Sequence, residues 1–103
     1  MDKYEILFSI DAREDIEEIT RYIKEVLALP ELASIYREEL LATIKELEFM
    51  PNRFEKVDTK YIKRNNIRKI IYKNHLTLYA TDEEKRKVYV LRVRHGKTDW
   101  KDV

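Results

Sequence analysis

The side chains best suited to chemistry are cations in the second half of the chain. Residues 52–103 carry fifteen Lys and Arg against seven Asp and Glu, whereas residues 1–51 carry six against thirteen. The cations that could share one surface are Lys63, Arg64, Arg68, Lys69, Lys73, Arg92, Arg94 and Lys97. Such a surface attracts a polyanion, either nucleic acid or an acidic protein segment. The alternative interpretation is a solvated sheet surface that serves solubility alone.

The two histidines, His75 and His95, are the other candidate groups, because an imidazole can serve as an acid or a base near neutral pH. No second His or Cys has the spacing of a metal ligand, so the sequence predicts neither a metal site nor a cofactor. Metal-free RNA cleavage needs only a base, an acid and cations at the phosphate. The residues that can supply these roles, if they converge, are Arg68, Lys69, Arg94 and His95. The absence of a Gly-rich phosphate loop excludes nucleotide hydrolysis.

Two helical stripes must help to position these groups. Residues 4–8 predict a first strand, and the apolar spacing from Ile16 to Leu27 predicts a first helix behind it. Ser9 and Asp11 both offer side-chain oxygens that could cap its start, and Asp11 with Glu14 has the spacing of a capping box. A second stripe predicts a helix over residues 30–49, which Pro51 ends. The short connection at Pro30 makes the two helices antiparallel neighbours.

The second half of the chain is β-rich. After a basic connection over residues 52–66, residues 67–72, 76–80 and 88–94 predict three strands joined by two tight turns. The element order β-α-α-β-β-β predicts an α+β fold, in which the helical hairpin packs on one face of a mainly antiparallel four-stranded sheet. Residues 1–103 are predicted to form a single domain.

Strict alternation along the last strand predicts its two faces. The predicted core face carries Tyr89, Leu91 and Val93. The predicted bare face carries Val88, Val90, Arg92 and Arg94. We therefore expect a basic face for a target or partner, made of Arg68, Lys69, Arg92, Arg94, His95, Lys97 and Trp100. No apolar run approaches the ~20 residues of a membrane span. With no leader-like segment and no Cys, the sequence predicts a cytoplasmic protein without a membrane partner.

Several segments resemble the RelE/ParE superfamily of bacterial toxins, in the same order along the chain. Residues 93–100 resemble the superfamily's R-V-x-H-G-R-R-D-W ending. Residues 67–68 and 73–79 resemble its I-R and K-N-Y-x-I-x-Y strands. Residues 8–12 resemble its strand-to-helix entry, and residues 47–53 its L-x-x-x-P-x-R helix exit. The resemblance implies the toxin half of a type II toxin–antitoxin pair, which inhibits growth and is neutralised by a cognate antitoxin.

The superfamily divides by cellular target. This chain departs from the RelE-like pattern at two positions, which bear on the choice between the two targets. RelE-like members cleave mRNA at the ribosome, whereas ParE-like members inhibit DNA gyrase and are not nucleases. RelE-like nucleases carry a catalytic Arg where this chain has Leu76, and a Tyr near the place of Gly96. The resemblance is therefore closer to ParE. An endoribonuclease remains the alternative, and a non-toxic interaction module is a third possibility.

The sequence leaves two docking surfaces open for an antitoxin. One is a groove beside the helical hairpin, where apolar side chains accept an amphipathic helix. The other is the basic sheet face, where acidic side chains would neutralise Arg92 and Arg94. An antitoxin segment of this kind is often disordered alone and folds on binding.

Overall fold

The computed structural model describes residues 3–58 and 66–97. The elements are strand β1 (Glu5–Phe8), helix α1 (Ile10–Arg21), a π-helical turn (Tyr22–Val26), helix α2 (Pro30–Lys45), two 3₁₀ turns (Glu46–Glu48 and Pro51–Arg53), and strands β2 (Arg68–Tyr72), β3 (His75–Asp82) and β4 (Lys87–His95). The predicted order is confirmed. The predictions for Lys63, Arg64 and Trp100 lie outside the described residues.

The four strands form one sheet in the order β1-β4-β3-β2. Strand β1 runs parallel to β4, and the other two pairs are antiparallel, so the sheet is mixed and mainly antiparallel as predicted. The main core lies between this sheet and the helical hairpin. Its buried members include Ala12, Ile16, Leu40, Ile44, Leu47, Ile70, Tyr79, Val88, Val90 and Val93.

Ser9 joins the start of α1 to the sheet. Its extended backbone lets Oγ accept a bond from the Ala12 N–H at 2.9 Å. The same hydroxyl donates to the Leu91 carbonyl at 2.8 Å, and the Ser9 N–H donates to the Val90 carbonyl at 2.9 Å. The predicted capping box of Asp11 with Glu14 is therefore wrong, because the helix begins two residues earlier, where a strand contact fixes the cap.

Replacing Ser9 with alanine is expected to lower the free energy of unfolding by about 1–2 kcal/mol. The change removes the cap and leaves the Leu91 carbonyl without its hydroxyl donor. Urea unfolding followed by circular dichroism measures the loss. Ser34→Ala is the matched control, because that exposed hydroxyl reaches only the Pro30 carbonyl of its own helix, at 3.5 Å. Equal effects of the two substitutions would contradict the assigned role of Ser9.

A β-bulge in β4 overturns the predicted faces of that strand. Tyr79 pairs with Val90 while Leu78 pairs with Arg92, so Leu91 is an extra residue without a partner. A bulge shifts the alternation of side chains by one position. Val88 and Val90 therefore belong to the main core, contrary to prediction, and Val93 belongs there as predicted. Leu91 packs instead against a second, smaller cluster around Ile67 and Leu78.

The end of the first helix also departs from a regular helix. The apolar spacing predicts one continuous helix to Leu27, whereas the last turn is π-helical, with the Leu27 N–H bonded to the Tyr22 carbonyl at 3.1 Å. Such turns are frequent at functional sites. Ile23 remains buried, but the Val26 side chain is 66% exposed and that of Leu27 is 47% exposed. The tip of the hairpin thus presents apolar side chains to solvent.

Candidate functional site

A groove of about 720 Å³ lies between the helical hairpin and the end of β4. The side chains of Ile19, Ile23 and Val93 form its apolar floor. Exposed apolar side chains of the hairpin, Tyr22, Leu27 and Leu32, line one side. Arg94, His95 and His75 line the end formed by the sheet. The groove therefore combines an apolar floor with a basic end, a composition suited to a partner that is partly apolar and partly anionic.

Asp15 closes the edge of β4 beside this groove. Strand β1 ends at Phe8, so within residues 3–58 and 66–97 the later part of β4 has no neighbouring strand on that side. The Asp15 carboxylate accepts from the Val93 N–H at 2.9 Å and from two nitrogens of Arg92 at 2.8 and 2.9 Å. Both side chains are largely buried, with 9% of Asp15 and 20% of Arg92 exposed. The positive charge of Arg92 is thus matched within the fold.

A cluster of aromatic rings connects α2 to the ends of three strands. The Tyr36 hydroxyl lies 2.6 Å from His75 Nδ1, and the centroids of the Tyr36 and Tyr72 rings are 5.0 Å apart. His75 and His95 are paired residues of β3 and β4, with ring centroids 5.9 Å apart and nearly perpendicular planes. The Tyr72 hydroxyl donates to Glu39, and Lys73 Nζ lies 5.8 Å from the centre of the Tyr36 ring.

The surroundings of this cluster shift the protonation of its members. Burial lowers the pKa of His75, and the charge of His95 lowers it further. Burial raises the pKa of Tyr36. The hydrogen bond with Glu39 is the main reason that the pKa of Tyr72 rises to about 12. At neutral pH His75 is therefore predominantly uncharged, and its Nδ1 shares a hydrogen bond with the Tyr36 hydroxyl.

The free energy of unfolding is expected to fall as the pH drops below about 6.5, with His75 as one cause. The pKa of His75 is lower in the folded chain than in the unfolded chain. The unfolded chain therefore binds the proton first, and stability present above this pH is lost on acidification. Urea unfolding at several pH values should show a weaker pH dependence in His75→Gln. His95→Gln should retain most of the dependence, because burial is the larger cause of the shift in His75. An unchanged profile in His75→Gln would contradict this assignment.

The structure divides the site residues predicted from sequence into two locations. Arg92, Arg94 and His95 line the groove. Arg68 pairs with Tyr79, three residue positions along β3 from Leu76, which pairs with Arg94. At about 3.3 Å per residue, this places Arg68 roughly 10 Å along the sheet from Arg94. Lys69, which pairs with Leu78, lies roughly 7 Å along the sheet from Arg94, and both β2 residues are two strands across. Residues Arg68, Lys69, Arg94 and His95 therefore do not converge.

The two basic side chains of β2 already have partners of their own. Arg68 Nη1 donates to the Phe54 carbonyl at 2.6 Å, and Lys69 Nζ lies 3.8 Å from a Glu55 carboxylate oxygen. At the other end, the Lys97 N–H donates to His95 Nδ1 at 3.2 Å. The described residues thus place the predicted basic side chains in two separate regions rather than on one continuous face.

Sequence reasoning missed Asp15, Tyr36 and the pairing of the two histidines. A signal for Asp15 was present, because it lies four residues before Ile19 and so falls on the apolar stripe of α1. A carboxylate at such a position is expected to have a buried partner. The contact of His75 with His95 depends on the register of β3 with β4, which the sequence did not define.

Residues 3–58 and 66–97 contain no cluster of three or more His, Asp or Glu able to hold a metal ion. The helices within these ranges include none that is both long and apolar enough to cross a bilayer.

Comparison with known proteins identifies the family. The sequence matches the family model described as "ParE toxin of type II toxin-antitoxin system, parDE" over residues 6–100. The chain belongs to the ParE toxin family. The resemblance drawn from the sequence motifs is thereby confirmed, and the chain is a toxin of the type II toxin–antitoxin class.

Solved structures share the fold of this ParE family member. A chain from the chromosomal ParDE toxin–antitoxin system of P. aeruginosa has a TM-score of 0.73 at 15% identity, over 90% of this chain and 96% of that one. A chain from the toxin–antitoxin complex RelBE2 of Mycobacterium tuberculosis has a TM-score of 0.63 at 20% identity, over 95% and 97%. No curated protein gives a significant match. The α+β architecture predicted from the sequence is therefore that of ParE and RelE toxins.

Proposed function

We propose that this ParE-family toxin arrests bacterial growth by poisoning DNA gyrase in the cytoplasm until a cognate antitoxin occupies its groove. The observation that carries the proposal is the open apolar groove beside an exposed hairpin tip. Tyr22, Leu27 and Leu32 are all exposed there, and a cluster of exposed apolar side chains typically marks a protein–protein site. A toxin that acts by binding a protein needs such a surface and needs no catalytic set.

The distribution of cations supports gyrase rather than mRNA as the target. Stabilising a pentavalent phosphate transition state requires several donors around one point. Arg68 and Lys69 are held at a distance from Arg94, each with a partner of its own. Leu76 stands where the RelE-like nucleases have a catalytic Arg, and an apolar side chain stabilises no negative charge.

The groove is the better of the two antitoxin docking surfaces that the sequence left open. Arg92, one of the two arginines on which the sheet-face alternative depends, is paired with Asp15. The groove instead offers a buried floor at Ile23 and Val93, with Arg94 at its basic end. An amphipathic helix with acidic flanks would cover the apolar lining and match the basic end.

Purified chain, gyrase and relaxed plasmid test the target directly. We expect inhibited supercoiling together with accumulation of cleaved DNA, and growth arrest when the chain is expressed in bacteria. Addition of the antitoxin encoded beside the gene should reverse both effects. Growth arrest without either effect on gyrase would refute the gyrase proposal. Expression without any arrest would favour a non-toxic interaction module.

A ribosome-dependent endoribonuclease is the second candidate, because one observation favours it. His75 and His95 face each other in the groove, beside Arg94, and two imidazoles near a cation can act as a general acid and base. Primer extension on translated mRNA would then show cuts in phase with codons, which His75→Gln and His95→Gln would abolish. Intact transcripts in arrested cells would exclude this candidate.

A further inference from the structure

The basic end of the groove contains a histidine that can gain a proton without moving. In its neutral form His75 shares a hydrogen bond with the Tyr36 hydroxyl through Nδ1, at 2.6 Å. After protonation, Nδ1–H can donate to the same oxygen, because a tyrosine hydroxyl is both donor and acceptor. The contact of α2 with β3 at Tyr36 is therefore satisfied in both states. Protonation changes the charge of the groove and leaves its hydrogen bonds intact.

In the empty groove, the charges around His75 oppose this proton. His95 on β4 lies 5.9 Å away between ring centroids, and Arg94 lines the same end. Lys73, in the turn between β2 and β3, lies over the neighbouring Tyr36 and Tyr72 rings. A positive charge close to an imidazole disfavours a further positive charge on it.

Two of the carboxylates near His75 are engaged by other groups. Asp15 of α1 is engaged by Arg92 and by the Val93 N–H. Glu39 of α2 is bonded to the Tyr72 hydroxyl. Glu18 of α1 lines the groove without bonding His75 in the structure. An occupant that brings its own carboxylates would place new negative charge beside His75.

We propose that an acidic occupant binds this groove with uptake of a proton at His75, so that its affinity rises as the pH falls. The proposal takes the groove from the proposed function, and it adds that occupancy is linked to pH. Mild acidification then holds an acidic antitoxin segment more tightly, and an alkaline shift loosens it. The coupling arises because carboxylates of the occupant favour the charged imidazole while the empty site favours the neutral one.

A designed peptide tests this coupling without knowledge of the antitoxin. The probe is an acetylated and amidated helix of about 20 residues, with leucine along one face and glutamate along its flanks. Its matched control has glutamine in place of every glutamate. We expect the full chain to bind the glutamate peptide about fivefold or more tightly near pH 6 than near pH 8, and the glutamine peptide with little pH dependence. His75→Gln should reduce the pH ratio of the glutamate peptide to less than about twofold.

A second measurement uses the unaltered chain, so its result does not depend on whether the variant folds. Imidazole resonances followed by NMR should show the pKa of His75 rising when the glutamate peptide is bound. The proposal fails if that pKa is unchanged or lower, if the pH ratio persists in His75→Gln, or if the glutamine peptide shows the same ratio. Absence of binding by the glutamate peptide near pH 6 also overturns it. None of these outcomes affects growth arrest or gyrase poisoning, which test the proposed function separately.

Discussion

Replacing the largely buried Asp15 with alanine is expected to lower the free energy of unfolding by about 3 kcal/mol, the largest stability effect that we predict. The substitution leaves the largely buried guanidinium of Arg92 without its carboxylate and the Val93 N–H without an acceptor. Both groups would lose partners at the part of the β4 edge that lies beyond the end of β1. Urea unfolding of the two proteins at neutral pH measures the difference.

Two further variants separate the causes of this loss. Asp11→Ala, at an exposed position of the same helix, should change the free energy of unfolding by less than about 0.5 kcal/mol. Arg92→Met removes the cation but leaves Asp15 bonded to the Val93 N–H, so its cost should be smaller than that of Asp15→Ala. An Asp15→Ala protein as stable as Asp11→Ala would show that the carboxylate does not stabilise the edge of β4.

Replacing Leu27 with glutamate is expected to weaken antitoxin binding by about 30-fold to 1,000-fold, corresponding to roughly 2–4 kcal/mol. Leu27 is 47% exposed and lines the apolar side of the groove. A carboxylate there would lose its water against the apolar face of a docked helix and would repel the acidic flanks of that helix. Calorimetric titration with the cognate antitoxin measures the affinity, and co-expression should restore growth for the unaltered chain only.

The neighbouring residue provides a matched control. Val26 is even more exposed, at 66%, but does not line the groove. Val26→Glu should therefore bind the antitoxin with nearly unchanged affinity, and both variants should unfold at the same urea concentration as the parent chain. An equal loss of antitoxin affinity in the two variants would indicate that the antitoxin docks on the outer face of the hairpin tip and not in the groove.

The order and type of the elements were predictable because they depend on local patterns. The spacing of Ile16, Ile23 and Leu40 among polar residues specifies helices, and the alternating runs at the end of the chain specify strands. The residue that caps the start of α1 was harder to predict. Asp11 and Ser9 are equally good caps by residue type, and the contact with β4 that selects Ser9 joins residues 82 positions apart.

The candidate site was predictable only in part, since it depends on which residues become neighbours across elements. Arg94 and His95 adjoin in sequence and so were expected together, and both line the groove. Arg68 and Lys69 were grouped with them by charge alone, and the register of β2 with β3 places them elsewhere. Tyr36 gave no signal, because an aromatic residue on an apolar helical stripe normally belongs to the core.

The bulge at Leu91 shifts the register in which all later residues of β4 pair with β3. In a regular hairpin with the same turn, Leu91 would pair with Leu78, and each later residue would move one place along β3. Arg92 would then lie opposite Thr77 in the position that Val93 now fills, with its guanidinium directed into the core. Arg94 would lie opposite His75 in place of His95. One looped-out residue thus keeps an arginine out of the protein interior and brings the two imidazole rings face to edge.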